Sequence, residues 1–556
     1  MSRLSCNKIS DCSQELFLND QHKNLSESNS EDSSFSDADD FEESQTDEAV
    51  AQNAIDATGF GKFNWKISIL GALIFMNSAI SITSASYIIP AAVCDFQLKT
   101  IDKGRIVIAP LLGTCFGCLI WGFVADMKGR KKALIMTLFI QGISEAIASF
   151  VRNYWIFLFF KFLSGVAVAG QVALLFTYIG EFQPKKFRKR ILSWMEAAWI
   201  VGLLILPILA WVILPLEFAY DSEYFFFRSW NLFILVCCLP AELIGITLFF
   251  FPETPKFLAE TGQNVKLLKV LGRMYEENTG LPSQKYFEML MNSEDAALAK
   301  LVAQWQNKSL EAEKMTRRSK KFQDIVKSFK KQGKTIIKSS LYLKSISVAC
   351  IIGFLELSSY YSLLLWLPEI FERFALFEQH YPNETTSICS VSKQLIPLNS
   401  SFEVDIIPVA CNRHIDPSVF INSLWLAVAC IPAAVIVPLF VDRMGFKFFL
   451  VFTNAIAFVV TLGLFLVKSS LQNLVLSCIF ESMTSMAMSL MYCLLVVTFP
   501  TNCRMIAGTL LGLFGRVGSL VGNMMVTYLI DDYCDTLIII VAVQLLVATI
   551  LSFIVR

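Results

Sequence analysis

The feature that most limits this chain is the recurrence of apolar runs of roughly 20 residues, the helix length needed to cross a hydrocarbon core near 30 Å. Twelve such runs are legible, centred on Leu73, Leu112, Gln141, Ala169, Leu204, Gly245, Phe354, Ala429, Phe458, Met486, Leu513 and Val543. In lipid every backbone N–H and C=O must find its partner inside its own segment, so runs of this length become helices. The expected fold is an all-α membrane protein with twelve transmembrane helices. Composition agrees, since 55% of residues are hydrophobic and only 17% charged, against about a quarter charged in soluble domains. Lys+Arg and Asp+Glu both number 47, so no basic excess exists to hold a phosphate backbone and nucleic acid is excluded as a partner. Three histidines are too few for the ligand sets of most zinc enzymes, and the CxxC pair Cys115 and Cys118 falls inside an apolar run, where it reads as two small hydrophobes. No GxxxxGK[ST] phosphate loop is present, so ATP is not the direct energy source. Neither a cofactor nor bond chemistry is implied.

The chain divides by composition. Residues 1–61 are polar and acidic, with Asp37, Asp39, Asp40, Glu42 and Glu43 clustered, and are expected to be a disordered cytosolic tail. That stretch lacks a basic segment followed by an apolar one, so insertion is expected to be directed by the first span. Residues 62–251 hold six spans, 252–340 form a lysine-rich cytosolic loop with short amphipathic helices, and 341–556 hold six more, with a polar insertion at 373–417. Cations orient the bundle, because short loops rich in Lys and Arg stay cytoplasmic. Lys128, Arg130, Lys131 and Lys132 follow the second span and Lys185 to Arg190 the fourth, whereas Glu217, Asp221 and Glu223 follow the fifth. Both termini are then cytosolic. On that topology Asn383 and Asn399, which begin sequons in the insertion, are expected to be glycosylated. Cys389 and Cys411 in the same loop are the expected disulfide, with Cys94 and Cys534 as alternatives on the same side.

Straight after the second span stands Gly122-Phe-Val-Ala-Asp126-Met-Lys-Gly129-Arg130-Lys131-Lys132, which resembles the loop motif of the major facilitator superfamily. A reduced copy, Asp442-Arg443-Met444-Gly445-Phe446-Lys447, follows span eight, as two six-helix repeats require. Tyr178-Ile-Gly-Glu181, Pro252-Glu253-Thr254-Pro255 and Phe499-Pro500-Thr501-Asn502-Cys503-Arg504 resemble the sugar-porter-like group. Tyr360-Tyr361-Ser362 leading to Trp366-Leu367-Pro368-Glu369, together with Phe514-Gly515-Arg516-Val517-Gly518, is most similar to synaptic vesicle glycoprotein 2-like transporters, insect members above all. The resemblance implies two pseudo-symmetric six-helix bundles about a central cavity, rocking between access states. It implies gating roles for Gly122, Asp126, Gly129, Arg130, Glu181, Asp442, Arg443 and Arg504, through bridges that hold one state. Hexose specificity is not implied. Leu355-Glu356-Leu357-Ser358 stands where sugar porters carry Gln-Gln-Leu-Ser, and Val497 replaces their glutamate.

Ionisable residues at membrane depth are costly unless paired or solvated, which makes them pointers to a pathway. Counting inward from the loops places Glu242, Glu356, Glu481 and Arg516 near the midplane, all expected to face the protein interior. Glu356 ranks first, because Tyr360 shares its helix face at i+4 and Tyr361 adjoins it, a surface suited to a cation or a hydroxyl-rich solute. Arg516 is its expected counter-charge. Asn77 heads a polar face on span one that reads as cavity wall or interhelical hydrogen bonding. Glu145 and Glu196 lie toward span ends and are expected to reach water or loop cations. The glycines after Lys161, among them Gly165, read as close helix contacts. The expected function is secondary-active transport of a small organic ion or polar solute; the alternative is a transport-degenerate glycoprotein serving as a binding or trafficking scaffold. The expected partners are a small-molecule substrate and the lipid bilayer, with a proton as candidate coupling ion. The chain is expected to act as a monomer in the plasma membrane or an intracellular vesicle.

Overall fold

The structure is a computed structural model that describes residues 50–221, 226–292, 299, 340–380, 385–394, 415–498 and 501–554. Among these, twelve helices are long and apolar enough to cross a membrane. In the first half they are α1 (Lys62–Phe96), α2 (Thr100–Lys128), α3 (Arg130–Phe150), α4 (Tyr154–Gly180), α5 (Met195–Ile213) and α6 (Ser229–Leu248). In the second half they are α7 (Ser340–His380), α8 (Pro417–Met444), α9 (Phe446–Gly463), α10 (Ser470–Thr498), α11 (Thr501–Leu529) and α12 (Cys534–Ile554). Gln52 to Arg556 form one compact unit. Within it α2 packs on α4 and α1 on α5 in one bundle, α7 on α11 and α9 on α10 and α12 in the other, while α2–α11, α5–α8 and α1–α7 join the two. Apolar side chains such as Trp155, Val212, Leu243, Val459 and Phe553 stay exposed on the outer faces, which in a membrane is the lipid-facing surface.

Glycines set the closest approaches. A Cβ on Gly165 of α4 would lie 2.0 Å from the Pro110 carbonyl oxygen of α2, and one on Gly113 would lie 2.1 Å from that of Phe162. Side chains there would force the two helices apart, so the glycine-rich run acts as the contact the sequence suggests. The two halves also repeat one turn: Gly129 separates α2 from α3 at φ 99°, and Gly445 separates α8 from α9 at φ 82°. Positive φ is the region glycine enters without steric cost.

Several boundaries move. Residues 52–57, expected in the disordered tail, are helical; Asp56 accepts the Lys185 N–H at 2.8 Å, the Tyr286 hydroxyl donates to the Ala54 carbonyl at 2.7 Å, and Arg188 donates to Gln52. The insertion begins later than 373, because α7 continues to His380. A short antiparallel hairpin, Ala219–Asp221 with Phe226–Arg228, joins α5 to α6. It leaves no apolar signature long enough to be read from sequence. The loop after α6 forms helices Pro255–Glu260, Asn264–Thr279 and Ser283–Met291.

Candidate functional site

Charged groups concentrate at three levels along the bundles. At the end carrying the basic loops, Arg130 opens α3, and its guanidinium reaches Glu181 at 3.4 Å, Asp126 at 3.9 Å and Glu260 at 3.6 Å, over the Phe257 ring. Glu253 accepts the Lys131 N–H at 2.9 Å, filling one of the donors that the first turn of α3 leaves open. The Gly129 turn makes room for it, since a Cβ there would lie 2.3 Å from the Glu253 carboxylate. Burial pushes the Glu181 carboxyl up from the ordinary carboxylate value, opposed chiefly by Arg130. Burial likewise raises Glu253, opposed by the Lys131 and Thr254 amides. Every partner of Arg130 comes from the first half of the chain and its following loop. Gly122 faces open space within α2. Asp442, Arg443 and Arg504 lie on helices, but their side chains fall outside the described residues.

At the opposite end the charges join the two bundles. Lys103 at the start of α2 meets Glu369 near the end of α7 at 2.6 Å, Arg373 meets the same carboxylate at 3.1 Å, and Arg373 also meets Asp531 beyond α11 at 2.9 Å. This cluster was not among the residues singled out from sequence. Its signal was the Glu369 of Trp366-Leu367-Pro368-Glu369, but the partners stand far away in the chain. Nearby, Cys389 is bonded to Cys534 with the Cα atoms 5.3 Å apart, which corrects the expected pairing with Cys411. Spacing within one loop favoured Cys411; the fold brings the start of α12 against the helix Ile388–Gln394 instead. Cys94 is also in a disulfide. Asn383, Asn399 and Cys411 lie outside the described residues.

Between the two ends a small cavity of about 30 Å³ lies between the bundles. Its walls include Thr83, Ser86 and Tyr87 of α1, Leu203 of α5, Leu364 of α7, Ser423 and Cys430 of α8, and Glu481 of α10. Glu481 is fully buried; the Ser86 hydroxyl is also buried and has no hydrogen-bond partner among the described residues. The Tyr360 hydroxyl donates to the Glu481 carboxyl and accepts from the Trp199 indole N–H of α5 at 3.3 Å. Tyr361 packs edge-on against Tyr360 with centroids 5.0 Å apart. Glu196 of α5 accepts from Ser485 of α10 at 3.4 Å. Glu196 was expected near water; it lies at the bundle interface because α5 begins only at Met195, after a separate helix Lys185–Ser193.

Other sequence-predicted residues fall elsewhere. Glu356 is buried inside the second bundle, where the Asn454 amide of α9 donates to it at 2.8 Å. Arg516, the expected counter-charge, interacts with Cys115 of α2. Asn77 donates to Gln141 at 2.8 Å and Gln171 at 3.1 Å, a network inside the first bundle. Glu242 does not face the interior: its carboxyl folds onto Gly142 in an open apolar groove between α3 and α6, beside the exposed Leu239 and Ile143. Helix phase decides this, and counting depth alone is blind to phase. Glu145, expected near water, is buried and bound by Lys161 at 2.6 Å and Ser164 at 2.7 Å. Among the described residues no cluster of metal-ligating side chains occurs.

These arrangements match known proteins. The family model described as sugar (and other) transporter matches residues 52–407. Synaptic vesicle glycoprotein 2B of Mus musculus is 34% identical over 230 residues, 41% of this chain and 34% of the relative. Synaptic vesicle glycoprotein 2A of Rattus norvegicus is 31% identical over 223 residues, 40% of this chain and 30% of the relative. The aligned stretch thus spans about a third of these curated relatives. Among solved structures, a partially occluded inward open conformation of the xylose transporter XylE from E. coli aligns with a TM-score of 0.60 at 14% identity, covering 88% of this chain and 99% of that one. At that identity the likeness shows the fold. A match over more than half of the sequence, on twelve helices with this architecture, establishes that the chain belongs to the sugar (and other) transporter family of the major facilitator superfamily, integral membrane transporters rather than enzymes.

Proposed function

We propose that the protein is a secondary-active transporter that carries a small organic ion or polar solute through the inter-bundle cavity by alternating access. The observation that carries this reading is the cavity itself, which is lined from both bundles and holds the buried Glu481 carboxyl and Ser86 hydroxyl. Buried polar groups are nearly always satisfied, so the Ser86 hydroxyl, without a partner among the described residues, marks a place where a solute supplies the missing bond. Alternating access follows from position: a site held by both bundles changes its exposure when one rocks against the other. A proton is the candidate coupling ion, since carboxyls at this depth can carry one.

The basic end faces the cytosol on this reading, following the distribution of Lys and Arg, and a vesicle or plasma membrane is the setting. Replacing Asn383 and Asn399 by Gln is then expected to remove glycan mass, and an unchanged gel mobility would reverse the topology. Transport is tested by uptake of labelled solutes into proteoliposomes. Glu356→Gln and Glu481→Gln are expected to lower uptake at equal protein amount, and uptake equal to wild type in both would remove these carboxyls from the pathway.

A further inference from the structure

Most carboxyls at membrane depth have found partners inside the protein. Asn454 donates to Glu356, Tyr360 to Glu481 and Ser485 to Glu196, while Lys161 pairs with Glu145. Glu242 of α6 differs. It is half-buried on the outer side of the first bundle and, among the described residues, has no hydrogen bond or ion pair. About 20 Å of helix separates it from Ser229 at one end of the span and about 14 Å from Phe251 at the other, so it stands near the bilayer centre. An ionisable side chain there costs a few kcal/mol unless it is paired or solvated, and such residues almost always face the protein interior.

Its surroundings are shaped to receive something. A groove of about 480 Å³ runs between α3 and α6, walled by Ile143, Ile147, Leu232, Leu235 and Leu239, and Leu243 and Ile246 extend the exposed apolar face along α6. Gly142 leaves a niche at its floor. A Cβ there would lie 2.1 Å from Glu242 Oε1, so the carboxyl rests against bare backbone with no side chain to hold it. The groove shares no lining residue with the cavity between the bundles.

Depth decides what can cover this face. Lipid headgroups lie outside a hydrocarbon core about 30 Å thick, so neither they nor water supply a partner at the centre. A second copy of the chain, inserted in the same orientation, carries its own Glu242 at the same depth by symmetry. A twofold axis along the membrane normal brings like residues together, and a carboxyl that keeps its proton both donates and accepts. Two of them make a reciprocal pair. Between membrane helices such polar contacts matter because lipid is as apolar as leucine, which leaves apolar surface no hydrophobic reason to associate.

We propose that the α3–α6 face is the contact between two copies of this chain, with the two Glu242 carboxyls sharing hydrogen bonds across a twofold axis and the groove taking apolar side chains of the partner's α6. The pairing departs from the monomer expected from sequence. It does not depend on what the inter-bundle cavity carries.

The test is cross-linking in native membranes before any detergent is added. Ile246→Cys, one turn beyond Glu242 on the same helix face, is treated with a short bis-maleimide beside Val459→Cys, on the exposed face of the second bundle, and the unsubstituted protein. A dimer band is expected from Ile246→Cys alone. Adding Glu242→Leu is expected to lower the dimer yield about fivefold or more, whereas Glu242→Gln, whose amide also donates and accepts, retains it. An unchanged melting temperature in both variants checks that the fold is intact. Photobleaching of singly labelled full-length protein in dilute liposomes is expected to show two steps for wild type and one for Glu242→Leu. The proposal is overturned if Ile246→Cys gives no more dimer than Val459→Cys, if wild type bleaches in one step, lipid then filling the groove, or if the dimer survives Glu242→Leu undiminished.

Discussion

The two ends of the bundle both carry buried ion networks, but they connect different things. At the basic end, Arg130 and its partners Asp126, Glu181 and Glu260 all lie in the first half of the chain or its trailing loop, at 3.4 to 3.9 Å. At the opposite end Lys103 of the first bundle meets Glu369 of the second at 2.6 Å, with both side chains largely buried. Among the described residues, the ion pairs of Arg130 all lie at one corner of the first bundle. The Lys103 pair must break before the bundles separate at that end. The pair that spans the bundles was signalled in sequence by Glu369 alone, with its partner Lys103 far away in the chain.

That contrast can be broken most forcefully at Arg130. Arg130→Ala removes the cation that three carboxylates share and is expected to cost about 3–5 kcal/mol, the range for losing one partner of a buried pair. The check is the melting temperature of the purified protein; a loss no larger than that of an exposed substitution would mean that the network contributes little. Lys103→Gln is expected to act on access instead. Glu369 keeps Arg373, so stability falls little, but a reporter cysteine at Ser86 should react several-fold faster with an impermeant maleimide. The reversed pair, Lys103→Glu with Glu369→Lys, is expected to restore slow labelling. Unchanged labelling in Lys103→Gln would show that the bridge does not gate.

Gly129→Ala sharpens the local reading. It forces a side chain into φ 99° and pushes on Glu253, at a cost of about 1–2 kcal/mol for the backbone alone, read again as a melting temperature. The smallest expected effect is on pH dependence. Glu253 has a raised pKa because it is buried, so the folded state binds its proton before the unfolded chain does. Stability from this group then rises as the pH falls from neutral toward the ordinary carboxylate range, and is lost as the pH rises through the folded value. Glu253→Gln is expected to flatten that part of the stability profile, and an identical profile would remove the carboxyl from the linkage.

Apolar run length and the loop motifs made the twelve helices and the family legible, because lipid imposes a strong one-dimensional rule on any segment that crosses it. Ionisable residues at depth were legible as a set, yet their roles separated only in three dimensions. Glu356 and Glu481 look alike in sequence; one is held by Asn454 within a bundle, the other meets the Tyr360 hydroxyl and lines the cavity between the bundles. Glu242 shares their depth but lies on the outer face. Glu196 was undervalued because its nearness to the basic loop at a span end suggested water or loop cations, whereas the break at Trp194 between two helices carries it to the interface.

By itself, then, the sequence determined which segments lie in the membrane, the doubling of the six-helix unit and the turn that repeats at Gly129 and Gly445, since these depend on length, apolarity and local backbone geometry. Only the tertiary structure decided which carboxyl meets which cation, that Cys389 joins Cys534, and that Lys103 bridges the bundles to Glu369. Those pairings depend on helix rotation and on which helices become neighbours, and neither is encoded in the spacing of residues along one segment.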